Sequence, residues 1–272
     1  IDAHTHQFIM TGQIDSKFGF ALETGEAFEA VKAAAKYENI HLRGLHNHIG
    51  SQILDVRPFI AAAEVMLDFI AQLKNEAGII IEDLNLGGGF GVRYVEDDPV
   101  IDYEKNIAEI AAHLRAKSEE CGIEMPDILM EPGRSIVADA GMTLYTVGSV
   151  KTIRGYKSYV SIDGGMTDNP RYALYGSRYT LLLANRMDEK CDFECDVVGR
   201  CCESGDIIQP EVKLPKPVRG DIVAVCTTGA YNFSMASNYN RIPRPAVVML
   251  ADGKDYLAVR RETFADIAER DV

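Results

Sequence analysis

The sequence predicts an α/β protein in which βα units of a parallel barrel are followed by an all-β domain. Three observations carry this expectation. Up to about residue 140, short apolar runs alternate with long amphipathic stretches. The candidate strands in that region end in chemically loaded residues at an even interval, His48 to Gly88 being 40 positions and Gly88 to Glu131 being 43. Beyond residue 140 the helical period gives way to strand-like text. The interval suits one strand, one helix and two loops, and a parallel barrel sets such strand ends on a single rim, where its active sites form.

Taken in order, Phe28, Val31 and Ala35 mark a short helix, and "LRGLHNH" (Leu42 to His48) is a strand. Phe59, Ala62, Ala63, Met66, Phe69, Ile70 and Leu73 follow helical spacing, with Pro58 in the first turn. "IIIEDLNL" (Ile79 to Leu86) is the next strand. Ile107, Ile110, Ala111, Leu114 and Cys121 give a second long helix before Gly122, and "DILME" (Asp127 to Glu131) is a third strand. Then follow "MTLYTVGSVKTI", "YVSIDGG", "CDFECDVVG" and "GDIVAVCTTGAY", and a hairpin of "AVVML" with "YLAVRR" turning at Asp252-Gly253. A short helix from about Glu262 closes the chain. The expected division is an α/β part over 1–140 and a β domain over 141–272.

Composition narrows the function. The 272 residues are 47% hydrophobic, and 28 Lys and Arg stand against 41 Asp and Glu, a net charge of −13 that opposes nucleic-acid or anionic-lipid partners. No apolar run approaches the roughly 18 residues of a membrane helix and no basic-then-apolar leader is visible, which reads as cytoplasmic. The six cysteines follow no regular framework, so reduced thiols are expected. The chain starts at Ile1 rather than Met, with functional-looking residues at once, which reads as a missing N-terminal part.

His4 and His6 in the opening "IDAHTH" can form half of a metal site at a barrel strand end. A two-metal hydrolase needs further histidines, and after His48 only His113 remains, within a helix; no metal is expected. In "LGGGFG", Gly87, Gly88, Gly89 and Gly91 can bring backbone N–H groups onto an anion, or simply form a tight turn. "EPGRS" offers Glu131 for a pyridinium or a metal, and Gly133 and Arg134 in the following loop for a phosphate or carboxylate, unless the charges only pair at the surface. "HNHIGSQ" puts His46 and His48 on one strand face ahead of Ser51; an imidazole there can stack on a planar cofactor, or be a buried, hydrogen-bonded histidine. In "CCESGD", Cys202 can deliver a proton and Glu203 bind an ammonium group, against two buried cysteines at a strand end. Arg171, Tyr175 and Tyr231, in "NPRYALYG" and "GAYNFSM", are loop residues that can bind or merely pack.

Together and in order, "SKFGF" (Ser16 to Phe20), "GLHNHIGSQI", "LNLGGGFG", "EPGRS", "DNPRYALYG", "CCESGD" and "GAYNFSMASNYNRIPRP" resemble the diaminopimelate decarboxylases, within the alanine-racemase-like, fold-type III pyridoxal-phosphate decarboxylases. The resemblance spans nearly all 272 residues. It implies the C-terminal half of a TIM-like (β/α)8 barrel followed by the β domain. It also implies pyridoxal 5'-phosphate as cofactor, with His48 stacked on the ring, Glu131 facing the ring nitrogen, and Ser51, Gly87, Gly88, Gly89, Gly133, Arg134 and Tyr231 about the phosphate. Cys202 becomes the proton donor, acting with His48, and Arg134, Arg171, Tyr175, Glu203 and Tyr231 the substrate contacts. The active site is implied to be shared across a homodimer. The implied reaction converts meso-2,6-diaminopimelate to L-lysine and carbon dioxide, since Arg171 with Glu203 suits a zwitterionic tail. Ornithine, arginine or carboxynorspermidine decarboxylation, or an inactive decarboxylase-like regulator, are the alternatives. The family's Schiff-base lysine lies in a motif like Tyr-Ala-x-Lys-Ala near the first barrel strand; no such motif is present and Lys17 is not it. The chain is therefore expected to start around the fifth strand and, alone, to be inactive. Tyr172 where many relatives place Pro, and Asn47 between the histidines, are departures that leave the spacing intact.

Overall fold

The computed structural model describes residues 17–272, so His4, His6 and Ser16 lie outside the described residues. The chain divides into two compact units, one of residues up to 92 with 99–136, the other of 93–98 with 137–272.

In the first unit, α1 (Glu26–Ala34) buries Ala27 and Val31. The strands β1 (Gly44–His46), β2 (Asp83–Asn85) and β3 (Asp127–Leu129) lie parallel in that order, with Leu45 opposite Leu84 and Leu84 opposite Ile128. Each is shorter than the apolar run that announced it. Ile81 is buried and Ile79 packs partly against the core from the segment ahead of β2, while Ile80 between them is exposed; none of the three pairs in the ladder. Parallel bonds continue past the strand ends, from Asn47 N–H to Asn85 C=O (2.9 Å), Leu86 N–H to Leu129 C=O (3.0 Å) and Glu131 N–H to Gly87 C=O (2.8 Å).

The crossovers are α2 (Arg57–Ala77) and α3 (Tyr103–Cys121). Pro58 falls in the first turn of α2, where its missing N–H costs nothing, and all seven expected inward residues are buried. Helix α3 is capped by Asp102, whose side chain accepts from Lys105 N–H at 3.0 Å. It buries only Ile110, Leu114 and Ser118, and Ile107, expected on the inner face, is 40% exposed. His113 lies within α3, with its ring 3.1 Å from Glu64.

The second unit is built on a six-stranded sheet of β4 (Met142–Ile153), β5 (Lys157–Ile162), β6 (Leu181–Leu183), β7 (Phe193–Val198), β8 (Ile207–Leu214) and β9 (Ile222–Cys226). Their order is β6-β9-β4-β5-β7-β8, antiparallel except for β5 beside β7. The single turn α4 (Arg134–Val137) ends the first unit, and α5 (Arg171–Tyr175), read from the sequence as a loop, is one turn in the second unit between Pro170 and Gly176. The unit is thus not purely β: a five-residue helix is too short to show a 3.6-residue period. The hairpin of β10 (Val247–Ala251) and β11 (Lys254–Val259) turns at Asp252 (φ 52°) and Gly253 (φ 71°), the pair of positive angles a type I′ turn requires. α6 (Phe264–Ala268) starts at a reciprocal cap between Thr263 and Asp266. Among the described residues no helix is long and apolar enough to cross a membrane, and all six cysteines are free thiols.

Leu84, fully buried in the middle strand, and Ile107, half-exposed on α3, separate packing from pattern. Leu84→Ala should destabilise the first unit by about 2–5 kcal/mol and Ile107→Ala by less than about 1 kcal/mol. The midpoints of urea unfolding check both.

Candidate active site

The first unit brings its flagged residues together at the C-terminal ends of the parallel strands. His48 lies two residues beyond β1 rather than on it, and its ring Nδ1 accepts a hydrogen bond from Gly88 N–H at 3.2 Å. That bond places the ring proton of the neutral imidazole on Nε2. Burial pushes the His48 pKa below its ordinary value, with repulsion from His46 acting the same way and Glu131 opposing it.

The glycine run is packed as tightly as backbone allows. A Cβ on Gly88 would stand 2.3 Å from the carbonyl oxygen of Glu131, and one on Gly89 would stand 2.4 Å from that of Gly50. The structural reading of "GGG" therefore holds whatever binds there. It also limits the anion reading. Gly87 N–H is engaged by Asn85 Oδ1 (2.8 Å) and Gly88 N–H by His48, so among the described residues Gly89 carries the one amide of the three that no protein group accepts.

Glu131, just beyond β3, is 57% exposed at its side chain. Its Oε1 accepts from Asn85 Nδ2 at 2.8 Å and stands 3.7 Å from His46 Nε2. Gly133 precedes α4, and Arg134, expected in a loop, is the first residue of that turn. Arg134 is 4% exposed, and its Nη2 donates to Ser51 Oγ at 2.9 Å. Because Ser51 accepts there, its own O–H remains a donor. This rim thus presents a neutral imidazole face, a carboxylate, and three anion donors in Gly89 N–H, Ser51 O–H and Arg134. That donor set fits a flat, phosphorylated pyridine with a basic ring nitrogen.

The second unit gathers a different set. Arg171, at the start of α5, is 5% exposed, its guanidinium carbon 5.3 Å from the ring centre of Tyr175, 5.7 Å from that of Tyr94 and 6.0 Å from that of Tyr231. Its Nη2 donates to Ser177 Oγ at 3.3 Å. Tyr94, which sequence reasoning passed over, packs edge-on to Tyr179 with ring centres 5.5 Å apart; burial pushes the Tyr179 phenol up to about 12. Tyr231 holds a left-handed backbone (φ 60°), a conformation costing roughly 1 kcal/mol for a residue with a Cβ.

Cys202 and Glu203 are not among the residues round Arg171. Both are exposed on a turn, and among the described residues neither side chain makes a hydrogen bond or ion pair. Two buried cysteines are therefore not what the structure has; Cys201 is partly buried and Cys202 exposed. The turn itself is held by Asp206, 3% exposed, whose carboxylate accepts from Cys201 N–H (2.8 Å) and Met166 N–H (2.6 Å). Asp168 plays the matching part ahead of α5, accepting from Gly165 N–H (3.2 Å), Thr167 Oγ1 (3.1 Å) and the buried hydroxyl of Tyr145. Burial raises the Asp168 pKa, and those hydrogen bonds oppose the shift. Asn85, Asp168 and Asp206 each stand inside a flagged motif, and position within the motif was the only available signal.

Comparison with known proteins bears on both units. Residues 1–138 match the profile of the pyridoxal-dependent decarboxylases, pyridoxal binding domain. The chain is 46% identical over 272 residues to the diaminopimelate decarboxylase of Bacillus subtilis and 48% identical over 275 residues to that of Halalkalibacterium halodurans, covering 100% of this chain and 62% of each relative. A crystal structure of diaminopimelate decarboxylase from M. jannaschii in co-complex with L-lysine superposes with a TM-score of 0.89 at 36% identity, covering 100% of this chain and 61% of that one. The chain spans about three-fifths of the length of the curated relatives it matches, and the fold it shares with them is an α/β barrel part joined to a β domain. With a cofactor-compatible rim on the parallel strands and a family match over residues 1–138, the chain belongs to the pyridoxal-dependent decarboxylases.

Proposed function

We propose that the protein bearing this chain decarboxylates meso-2,6-diaminopimelate to L-lysine and carbon dioxide, using pyridoxal 5'-phosphate held on the rim of the first unit. The observation that carries the reading is the convergence of His48, Gly88, Asn85 and Glu131 within hydrogen-bonding distance at the ends of three parallel strands. Relatives at 46–48% identity share that reaction by name, and a solved neighbour carries L-lysine.

Bound there, the cofactor supplies the electron sink that takes up the pair left on Cα when carbon dioxide departs. The residues of this chain do the rest. Glu131 would hold a proton on the ring nitrogen. His48, neutral and fixed by Gly88 N–H, would serve as the residue stacked on the ring. Gly89 N–H, Ser51 O–H and Arg134 would donate to the phosphate, with Gly133 leaving the approach open, and Tyr231 would be a further phosphate contact. Cys202 delivers the proton that replaces the lost carboxylate at Cα. Arg171, in its tyrosine setting, takes the distal carboxylate of the substrate and Glu203 its ammonium, while Tyr175 shapes the same end.

The exposed, unengaged side chains of Cys202 and Glu203 support their service to the site of a second copy, and so a homodimer. Six free thiols support a reducing setting, and with it a cytoplasmic location. The 272 residues carry no Tyr-Ala-x-Lys-Ala-like motif, and on this reading they are inactive on their own.

Carbon dioxide release from meso-diaminopimelate, ornithine, arginine and lysine tests the assignment in the whole protein. Diaminopimelate is expected to be the preferred substrate, and Arg171→Met to lower its kcat/KM by about 10- to 100-fold, the worth of a charged hydrogen bond. Equal turnover of ornithine would overturn the substrate reading. Residues 1–272 alone are expected to release none.

His48 adds a pH dependence. Unfolded, its imidazole takes a proton near the ordinary 6.5; folded, it does so only at lower pH. The stability tied to the neutral ring is present above about pH 6.5 and is lost as pH falls through the folded value. His48→Gln should flatten the fall in Tm between pH 8 and pH 5.5, as read by thermal melts at the two pH values.

A further inference from the structure

We propose that Asn85 is a positioning residue that sets the attitude of the Glu131 carboxylate, an inference that rests on the cofactor reading above. Asn85 is the last residue of β2, and its backbone carbonyl is fixed in the parallel ladder by Asn47 N–H at 2.9 Å. Its neighbours Leu84 and Leu86 are buried in the core, so alternation along the strand turns Asn85 to the opposite face.

The orientation of its amide is dictated by chemistry. Gly87 N–H can only donate, so the atom 2.8 Å from it must be Asn85 Oδ1. The other end of the amide is then a donor, and it meets Glu131 Oε1 at 2.8 Å. Gly87 is itself immovable: a Cβ there would lie 2.6 Å from Asn47 C=O and 2.8 Å from His48 Nδ1. Asn85 is therefore clamped to rigid backbone on one side and grips Glu131 on the other.

Glu131 needs that grip. Its side chain is more than half exposed, so three free torsions have to be ordered before it can face a partner. Asn85 occupies Oε1, the same oxygen that His46 approaches at 3.7 Å. Oε2 is thereby the oxygen that would be left for a ring nitrogen, with the carboxylate steadied by the hydrogen bond from Asn85.

A second role would leave the same coordinates. Oδ1 accepting from the amide two residues on is an Asx turn, which alone could explain an Asn at a strand end. The two roles part on substitution. Asn85→Asp keeps the acceptor for Gly87 N–H and replaces the donor to Glu131 by a like charge. Asn85→Ser also keeps a turn acceptor, with no charge and no reach to Glu131, and it answers if the Asp variant does not fold.

The test uses the whole holoenzyme, loaded with pyridoxal phosphate 15N-labelled at the ring nitrogen, as wild type, Asn85→Asp, Asn85→Ser and Glu131→Gln. Both Asn85 variants are expected to lower kcat by about tenfold with KM changed less than about twofold, the signature of lost positioning. Their ring 15N signal should move in the direction set by Glu131→Gln, from protonated toward neutral pyridine. Wild-type kcat and 15N shift in folded Asn85 variants, with both moved in Glu131→Gln, would overturn the role of Asn85 and leave the cofactor reading standing. Should Glu131→Gln itself leave kcat and the 15N shift unmoved, the cofactor reading falls and this inference with it.

Discussion

The rim of the first unit depends on backbone meeting backbone where side chains would ordinarily intervene. Three strand ends converge there, and Gly88 sits so close to Glu131 that even a methyl group would collide with its carbonyl. The contact has two consequences. It brings the turn after β1, the turn after β2 and the residue after β3 within hydrogen-bonding reach of one another. It also consumes most of the amides the glycines expose, since Gly87 and Gly88 each donate to a side chain of the chain itself. A run of three glycines read as an anion cradle is thus first a packing device, and its anion capacity narrows to Gly89 together with Ser51 and Arg134.

The second unit reaches comparable order by the opposite means. Instead of bare backbone it buries carboxylates: Asp206 ties the Cys202–Glu203 turn to Met166, and Asp168 ties the approach to α5 to Tyr145. Burying a carboxylate is costly unless each oxygen is bonded, and here backbone N–H groups and a phenol supply the partners. The loops so held are the ones that carry Arg171 and Cys202. Both units therefore spend their rigidity beside the residues a decarboxylase would use, and leave the hairpin of β10 and β11 exposed along its length.

How far the sequence exposed this can be judged residue by residue. The α2 face was legible in full, because a helix packed on a sheet must repeat its apolar residues at helical spacing and Pro58 marks its first turn. The hairpin at Asp252-Gly253 was legible for a similar reason, a turn type that admits few residues. Ile107 and Ile81 misled, one by keeping helical spacing on an exposed face and the other by being buried without pairing. Among the candidate residues, Glu131, His48, Arg134 and Arg171 stood out because charge and aromaticity are visible in text. Asn85 and Asp206 did not, since holding another side chain or a turn leaves no periodic trace and appears only once distances are known.

A chain with a net charge of −13 offers anions no general attraction, so any recognition of phosphate or carboxylate has to be local. Among the described residues Arg134 and Arg171 are the buried basic side chains. A guanidinium removed from water is expensive to keep unless the surroundings stabilise it, and a surface location would serve any purely structural ion pair as well. Arg171 is instead set among three tyrosine rings, its Nη2 donating to Ser177 Oγ, a setting in which ring faces and a hydroxyl stand in for lost water. Such a group discriminates strongly, because a ligand that brings a carboxylate gains a two-pronged bond while one that brings an ammonium meets a buried like charge. On the substrate reading proposed above, that asymmetry would favour a far end that is zwitterionic over one that is only cationic.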